Sequence, residues 1–144
     1  MKILVLNGPN INMLGKREPE IYGGRDYDAL CNEIEAYAKS AGIDADIMQS
    51  NVEGELVTAL QEADGVYDGV VMNPAAYTHY SVALLDAIHA ISIPVIEVHI
   101  SNIHAREEFR KNTVTTPACI GQICGFGFDS YILGIEALKR YLNQ

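Results

Sequence analysis

Arg17 and Tyr22 stand five residues apart in a connection, Asn7 to Gly24, that follows the apolar run Ile3-Leu4-Val5-Leu6 and spends eighteen positions on loop chemistry. No core needs such a segment. Strand exits are normally about 2–6 residues long, and a long one rich in Gly, Pro and Asn is usually a lid or binding loop. Farther on, Glu97 and His99 lie two residues apart in the run Val95–Val98 and beyond, so on a strand they share one face. Asn73, Ser101 and Asn102 close other apolar runs. A guanidinium, a phenol, a carboxylate and an imidazole are the residue types of proton exchange and anion binding.

Charge narrows the ligand. The chain has 144 residues and a net charge of -9, which argues against nucleic acid, because counterion-release binding needs clustered Lys and Arg. The cations are nevertheless gathered: Lys16, Arg17 and Arg25 lie in or beside the first loop, and Arg106, Arg110 and Lys111 lie together, six of the ten present. An acidic chain that concentrates its cations in this way is arranged to receive a small anion. Three scattered cysteines, Cys31, Cys119 and Cys124, give no metal spacing and no even disulfide framework, which is expected of a reducing, cytoplasmic compartment. No apolar stretch has the length of a signal h-region or a membrane span, so no membrane partner is expected.

The elements that must position these groups alternate. Strands are expected over residues 2–7, 44–49, 69–72, 95–98 and 118–124. Helices are expected over 27–41, closed by Gly42, over 52–63, after a Ser81 N-cap with Leu84, Leu85, Ile88 and Ile91 inward, and over 131–142, with a short helix at 104–109. Five strands joined by crossovers imply a doubly wound α/β fold with a parallel sheet covered on both faces. Such sheets bind ligands beyond the carboxyl ends of their strands, where the winding reverses. Asn7 and Asn10, Asn73, and Glu97 to Asn102 all fall at that edge. No repeat, linker or low-complexity tract divides residues 1–144, which read as a single domain with a lid loop over about 8–24.

Three segments, NGPNINMLGKREPEIYG, NPAAYTHYSVALLDA and EVHISNIHAREEFR, resemble the type II 3-dehydroquinate dehydratases in order and spacing, on the strand ends already marked out. The resemblance implies a flavodoxin-like five-stranded sheet in the order 2-1-3-4-5. It implies loss of water from 3-dehydroquinate to give 3-dehydroshikimate through an enolate, in the shikimate route to aromatic compounds, with quinate breakdown as the alternative use of the same step. Neither cofactor nor metal is expected. The assembly it implies is a homododecamer, a tetramer of trimers.

Roles follow residue by residue from that resemblance. Tyr22 matches the base, acting as tyrosinate, and Arg17 the group that stabilises charge beside it. An unperturbed phenol is only about one part in a thousand ionised at neutral pH, and a guanidinium in close approach would favour the phenolate. The plainer alternative packs Tyr22 on Pro19 and pairs Arg17 with Glu18 or Glu20. His99 matches the proton donor to the departing hydroxyl; Glu97, accepting the second imidazole N–H, would fix its tautomer and keep that proton available. Asn73, His79, Asp86 and Arg110 match substrate-binding positions, as do Ile100 and Ser101, whose N–H groups would receive the substrate carboxylate, with Asn10 in support. In the family Asp86 acts close to a subunit boundary.

Other residues are set aside. His104 and Arg106 make sense in a short helix in which Arg106 pairs with Glu107 or Asp86, and His89 reads as a surface histidine. Gly121, Gly125 and Gly127 are too irregularly spaced for a phosphate loop. Ile11 and Met13 replace common leucines, and Leu85 stands where many relatives carry arginine, which bears on salt sensitivity of the assembly. A receiver domain would need an acidic pair after the first strand and an aspartate at Asn73; a flavin carrier would need Ser or Thr between residues 7 and 16. Neither pattern is present.

Overall fold

The computed structural model describes residues 1–16, 18–22 and 24–144, and for Pro19 and Tyr22 the backbone alone. In chain order the elements are β1 (Lys2–Asn7), α1 (Pro19–Tyr22), α2 (Tyr27–Ser40), β2 (Asp44–Gln49), α3 (Glu53–Ala63), β3 (Gly69–Asn73), α4 (Val82–Ala90), β4 (Val95–His99), β5 (Gly121–Cys124) and α5 (Asp129–Leu142). All strand pairs are parallel, in the order β2-β1-β3-β4-β5. The flavodoxin-like winding therefore reverses between β1 and β3, where Asn7 and Asn73 stand side by side in register.

Alternation along the strands splits the core in two. Ile3 and Val5 point to one face, packing with Leu30 and Ile34 of α2 and Tyr131, Ile135 and Leu138 of α5. Leu4 and Leu6 point to the other, with Leu56 and Leu60 of α3 and Leu84 and Ile88 of α4. The caps are local: Asp26 accepts from the Ala29 N–H to start α2, the Ser81 hydroxyl accepts from the Leu84 N–H to start α4, and Gly42 at φ +68° turns the chain out of α2.

Four expectations need correction. The helix expected over 104–109 is two 3-10 turns, Ile103–Ala105 and Glu108–Lys111, with Arg106 and Glu107 extended between them. Asn102 explains the first, since its side chain accepts from the His104 N–H and tightens the chain immediately. The fifth strand starts at Gly121 rather than 118, because Thr116–Ala118 forms a 3-10 turn around Pro117, which has no N–H for a ladder. Val52, placed inward on the second helix, is exposed at its N-cap position, and α4 stops at Ala90, short of Ile91.

The exits of β1 and β3 are stapled. The Gly8 N–H donates to the Asn73 carbonyl at 2.7 Å, and a Cβ on Gly8 would lie 2.6 Å from the Pro74 oxygen. Gly8→Ala should therefore lower stability by ~1–3 kcal/mol, read as a fall in melting temperature. Gly54→Ala, in the open first turn of α3, should leave it equal or slightly higher. Equal melting behaviour of the two variants would refute the close approach.

Candidate active site

The ends of β1, β3 and β4 surround a cavity of about 160 Å³, small enough to select for a single substituted ring. From the β1 exit come Pro9 and Asn10, from the β3 exit Asn73, Ala75 and His79, from the β4 exit His99, Ile100 and Ser101, and from the 3-10 turns Arg106 and Arg110.

Backbone strain collects at this rim. Asn10 and Ala75 both have left-handed backbones, at φ 67° and 52°. For alanine this costs on the order of 1 kcal/mol. It persists because the Asn73 side chain accepts from the Ala75 N–H at 3.0 Å and holds the turn. At Asn10 the N–H donates to the Asn51 side chain at 3.0 Å, while Gln49 bonds both that side chain and the Gly8 carbonyl. The β1 exit is thus tied to the end of β2.

Asn73 is oriented from both ends. Its oxygen serves Ala75, and its Nδ2 donates to the Tyr131 hydroxyl at 2.7 Å, which in turn donates to the Asn7 side chain at 2.7 Å. Burial pushes the Tyr131 phenol far up, so it stays protonated and the direction of the chain is fixed. The second Nδ2 proton of Asn73 is left for the cavity.

His79 has a defined tautomer. Its Nδ1 lies 2.8 Å from the Asn112 carbonyl, which can only accept, so Nδ1 carries the proton and Nε2 offers a lone pair. Burial pushes this imidazole below its ordinary value; the carbonyl contact opposes that, and the charges of Arg110 and His99 add to it. The result is a ring whose Nε2 can accept a hydrogen bond.

Glu97 and His99 are in contact, Oε1 to Nε2, at 2.6 Å, and both are almost fully buried. Burial alone would raise the Glu97 carboxyl. The hydrogen bond and charge of His99, with hydroxyl donors from Thr78 and Thr116, outweigh it and bring the carboxyl down to about 2. The carboxylate is therefore ionised at any working pH, and His99 keeps Nδ1 for a ligand.

Beyond His99 the β4 exit is held by its carbonyls. The Gly125 N–H donates to that of His99 and the Gly127 N–H to that of Ile100, while the Ile100 and Ser101 N–H groups donate to none of the described residues. Two adjacent N–H groups at a cavity edge make an anion receptor. Arg110 turns its Nε to the Glu107 carboxylate and stacks over Phe109, its carbon 5.0 Å from the ring centre.

Of the residues expected from sequence, Asn10, Asn73, His79, His99, Ile100, Ser101 and Arg110 share this cavity, with Glu97 directly behind His99. Asp86 does not: it is exposed on α4, beside the buried Leu84, Ala87 and Ile88. Arg17 and the Tyr22 side chain lie outside the described residues. Arg106, whose sequence context suggests local pairing, belongs here. It is nearly buried, bonding Ser101 at 3.3 Å and Glu18 at 3.4 Å rather than Glu107 or Asp86, because the extended backbone at Arg106 aims it inward. Its place in the third matching segment, four residues before Arg110, was the available signal. Tyr131 carried none, since its spacing fits a core helix.

The fold and this cavity define a class, the doubly wound α/β enzymes that act on small polar ligands at strand ends. The comparisons go further. Residues 1–139 match the family model described as dehydroquinase class II. A 3-dehydroquinate dehydratase of Clostridium acetobutylicum is 60% identical over the full length of both chains, and one of Fusobacterium nucleatum is 57% identical, also over both full lengths. The crystal structure of a type II dehydroquinase from Butyrivibrio crossotus superposes with a TM-score of 0.95 at 52% identity, covering 96% of this chain and 97% of that one. The chain belongs to the class II dehydroquinase family.

The Glu97 site has a stability consequence. Its carboxyl is depressed from an ordinary 4.5 to about 2, so its contribution is complete above pH 4.5 and is lost as pH falls through about 2. The depression corresponds to roughly 3 kcal/mol. Unfolding free energy of the wild type should fall more steeply than that of Glu97→Gln across this window; parallel acid profiles would contradict the assignment.

Proposed function

We propose that this chain, like the relatives named 3-dehydroquinate dehydratase, eliminates water from 3-dehydroquinate, and that the product is 3-dehydroshikimate. The observation that carries the reading is the buried Glu97–His99 pair opening on a cavity that also presents an N–H pair and two arginines. The substrate carboxylate meets the Ile100 and Ser101 N–H groups. Its hydroxyls meet the Nε2 of His79, the Asn73 amide and Arg110.

Tyr22 as phenolate takes the proton from the carbon beside the ketone, and the C–H electron pair moves onto the carbonyl oxygen as an enolate. Arg17 stabilises both the phenolate and that enolate. When the enolate collapses, the C–O bond breaks and the leaving hydroxyl takes the Nδ1 proton of His99. His99 can release it because Glu97 still accepts from Nε2. One water and a conjugated enone are formed. The proton on Tyr22 and the vacancy on His99 are then exchanged with solvent. The segment of about residues 8–24 acts as the lid that brings Arg17 and Tyr22 over the cavity, and its Glu18 already reaches Arg106 beneath.

We read the physiological route as shikimate biosynthesis in the cytoplasm, in keeping with three free cysteines; the quinate alternative gains nothing from the relatives, whose names give only the reaction. Among the described residues no helix is long and apolar enough to cross a membrane. A dodecamer of four trimers is the assembly we adopt. Tyr80, Val82 and Phe109 are apolar and more than half exposed, and Asp86 stands on the same helix as Val82, suited to reach a neighbouring copy's cavity.

Incubation with 3-dehydroquinate should raise ultraviolet enone absorbance. Tyr22→Phe should lower kcat at least about 100-fold with KM little changed, and Arg17→Ala likewise; near-normal turnover of Tyr22→Phe would remove Tyr22 as the base. Light scattering should give twelve chains per particle, and a monodisperse monomer that retains full activity would overturn the assembly and the role of Asp86.

A further inference from the structure

The Glu97 carboxylate has more company than one histidine requires. Its Oε1 lies 2.6 Å from the His99 Nε2, 2.7 Å from the Thr78 hydroxyl and 3.3 Å from the Gln122 amide, and its Oε2 lies 2.9 Å from the hydroxyls of both Thr115 and Thr116; Thr78 and Thr115 are also 2.7 Å apart, so their two protons are shared among three contacts. Thr115 is fully buried and does not line the cavity, so it touches no ligand. It arrives on a segment that bonds back to the β3 exit, the Val114 N–H donating to the Thr78 carbonyl at 2.7 Å. Thr116 is braced in the same way, accepting from Gln122 at 3.0 Å and lying 2.7 Å from Thr113.

We infer that Thr115, with Thr116, is a positioning residue for the His99 acid, acting through Glu97 by sharing the carboxylate with the imidazole. The argument is one of competition for lone pairs. A carboxylate has about four acceptor sites, and its charge is divided among the donors that fill them. These donors matter more when His99 is neutral, because the carboxylate then lacks its cationic partner. Removing one destabilises the neutral ring relative to the imidazolium, so His99 grips its proton harder and becomes a poorer acid. The threonines keep the pair strong enough to orient the ring and weak enough to let the proton go.

Other groups facing the pair do not duplicate this. His79 approaches from the β3 exit and Arg106 and Arg110 from the 3-10 turns, all across the cavity. Cys124 lies opposite His99 on β5. The Cys119 thiol is 3.9 Å from Oε2 and is pushed well up by burial and by Glu97, so it stays neutral.

This inference rests on His99 being the acid, and the test separates the two. The kcat pH profile of the wild type should have a basic limb that His99→Gln abolishes; a limb unaffected by His99→Gln would sink the acid assignment itself. With that established, Thr115→Val should move the limb upward on the order of half a pH unit, and Thr115→Ser should restore it. Thr115→Val should also slow dehydration more than exchange of the abstracted carbon-bound proton. Should Thr115→Val not fold, Thr116→Val tests the same oxygen from a half-buried position. A limb that stays in place, with dehydration and exchange falling together, would show the threonines to be structural and overturn the inference.

Discussion

A carboxylate with almost no access to water stands at the centre of this molecule, and the rest of the cavity is arranged around keeping it ionised. Taking an isolated carboxylate out of water costs several kcal/mol, and an unpaired one would take up a proton instead. Glu97 escapes this because donors reach it from the β3 exit, the segment before β5, β5 itself and its own strand. Those connections also hold the β4 exit against its neighbours. Removing the charge would loosen the elements that place His99, Ile100 and Ser101.

The strand exits are braced across the sheet in the same spirit. Gly8 is tied to Asn73, Gly125 to His99 and Gly127 to Ile100, each through a backbone bond. Asn7 and Asn73 are linked through a tyrosine more than fifty residues beyond the second of them. Each brace crosses between segments that are distant in sequence. The left-handed backbones at Asn10 and Ala75 are tolerable because these braces over-determine the local geometry. The walls of the cavity are therefore held by bonds that cross the sheet rather than by local turns alone.

What the sequence made legible follows from period. Strands β1, β3 and β4 are short apolar runs, β2 alternates and helices α2 to α5 carry a repeat near 3.6, and the rule that ligands sit where the winding reverses points to the strand ends that line the cavity. Residues 100–120 have no such repeat. Their shape comes from an Asx turn at Asn102 and from Pro117, so a helix was expected at 104–109 and β5 was begun too early. Arg106 was misread for a related reason. Local pairing is the natural guess for an arginine followed by two glutamates, whereas its partner Glu18 lies 88 residues away. Tyr131 and Thr115 were invisible because their function is to hold other side chains, and a buried tyrosine or threonine in a core pattern gives no sign of that. The chemistry-bearing positions themselves came from the resemblance.

Charge shows how the two ends of the cavity cooperate. The chain is acidic overall, yet its cavity wall holds Arg106 and Arg110 and a pair of backbone N–H groups. Glu97 is the exception, and it lies behind His99 with its oxygens turned into the protein. An incoming carboxylate therefore meets cations and N–H dipoles first, and the buried negative charge only behind the His99 ring. In a small, largely water-excluded space, two carboxylates without that intermediary would repel strongly. The His99 ring is thus placed between the buried carboxylate and the cavity, where it separates the two negative charges.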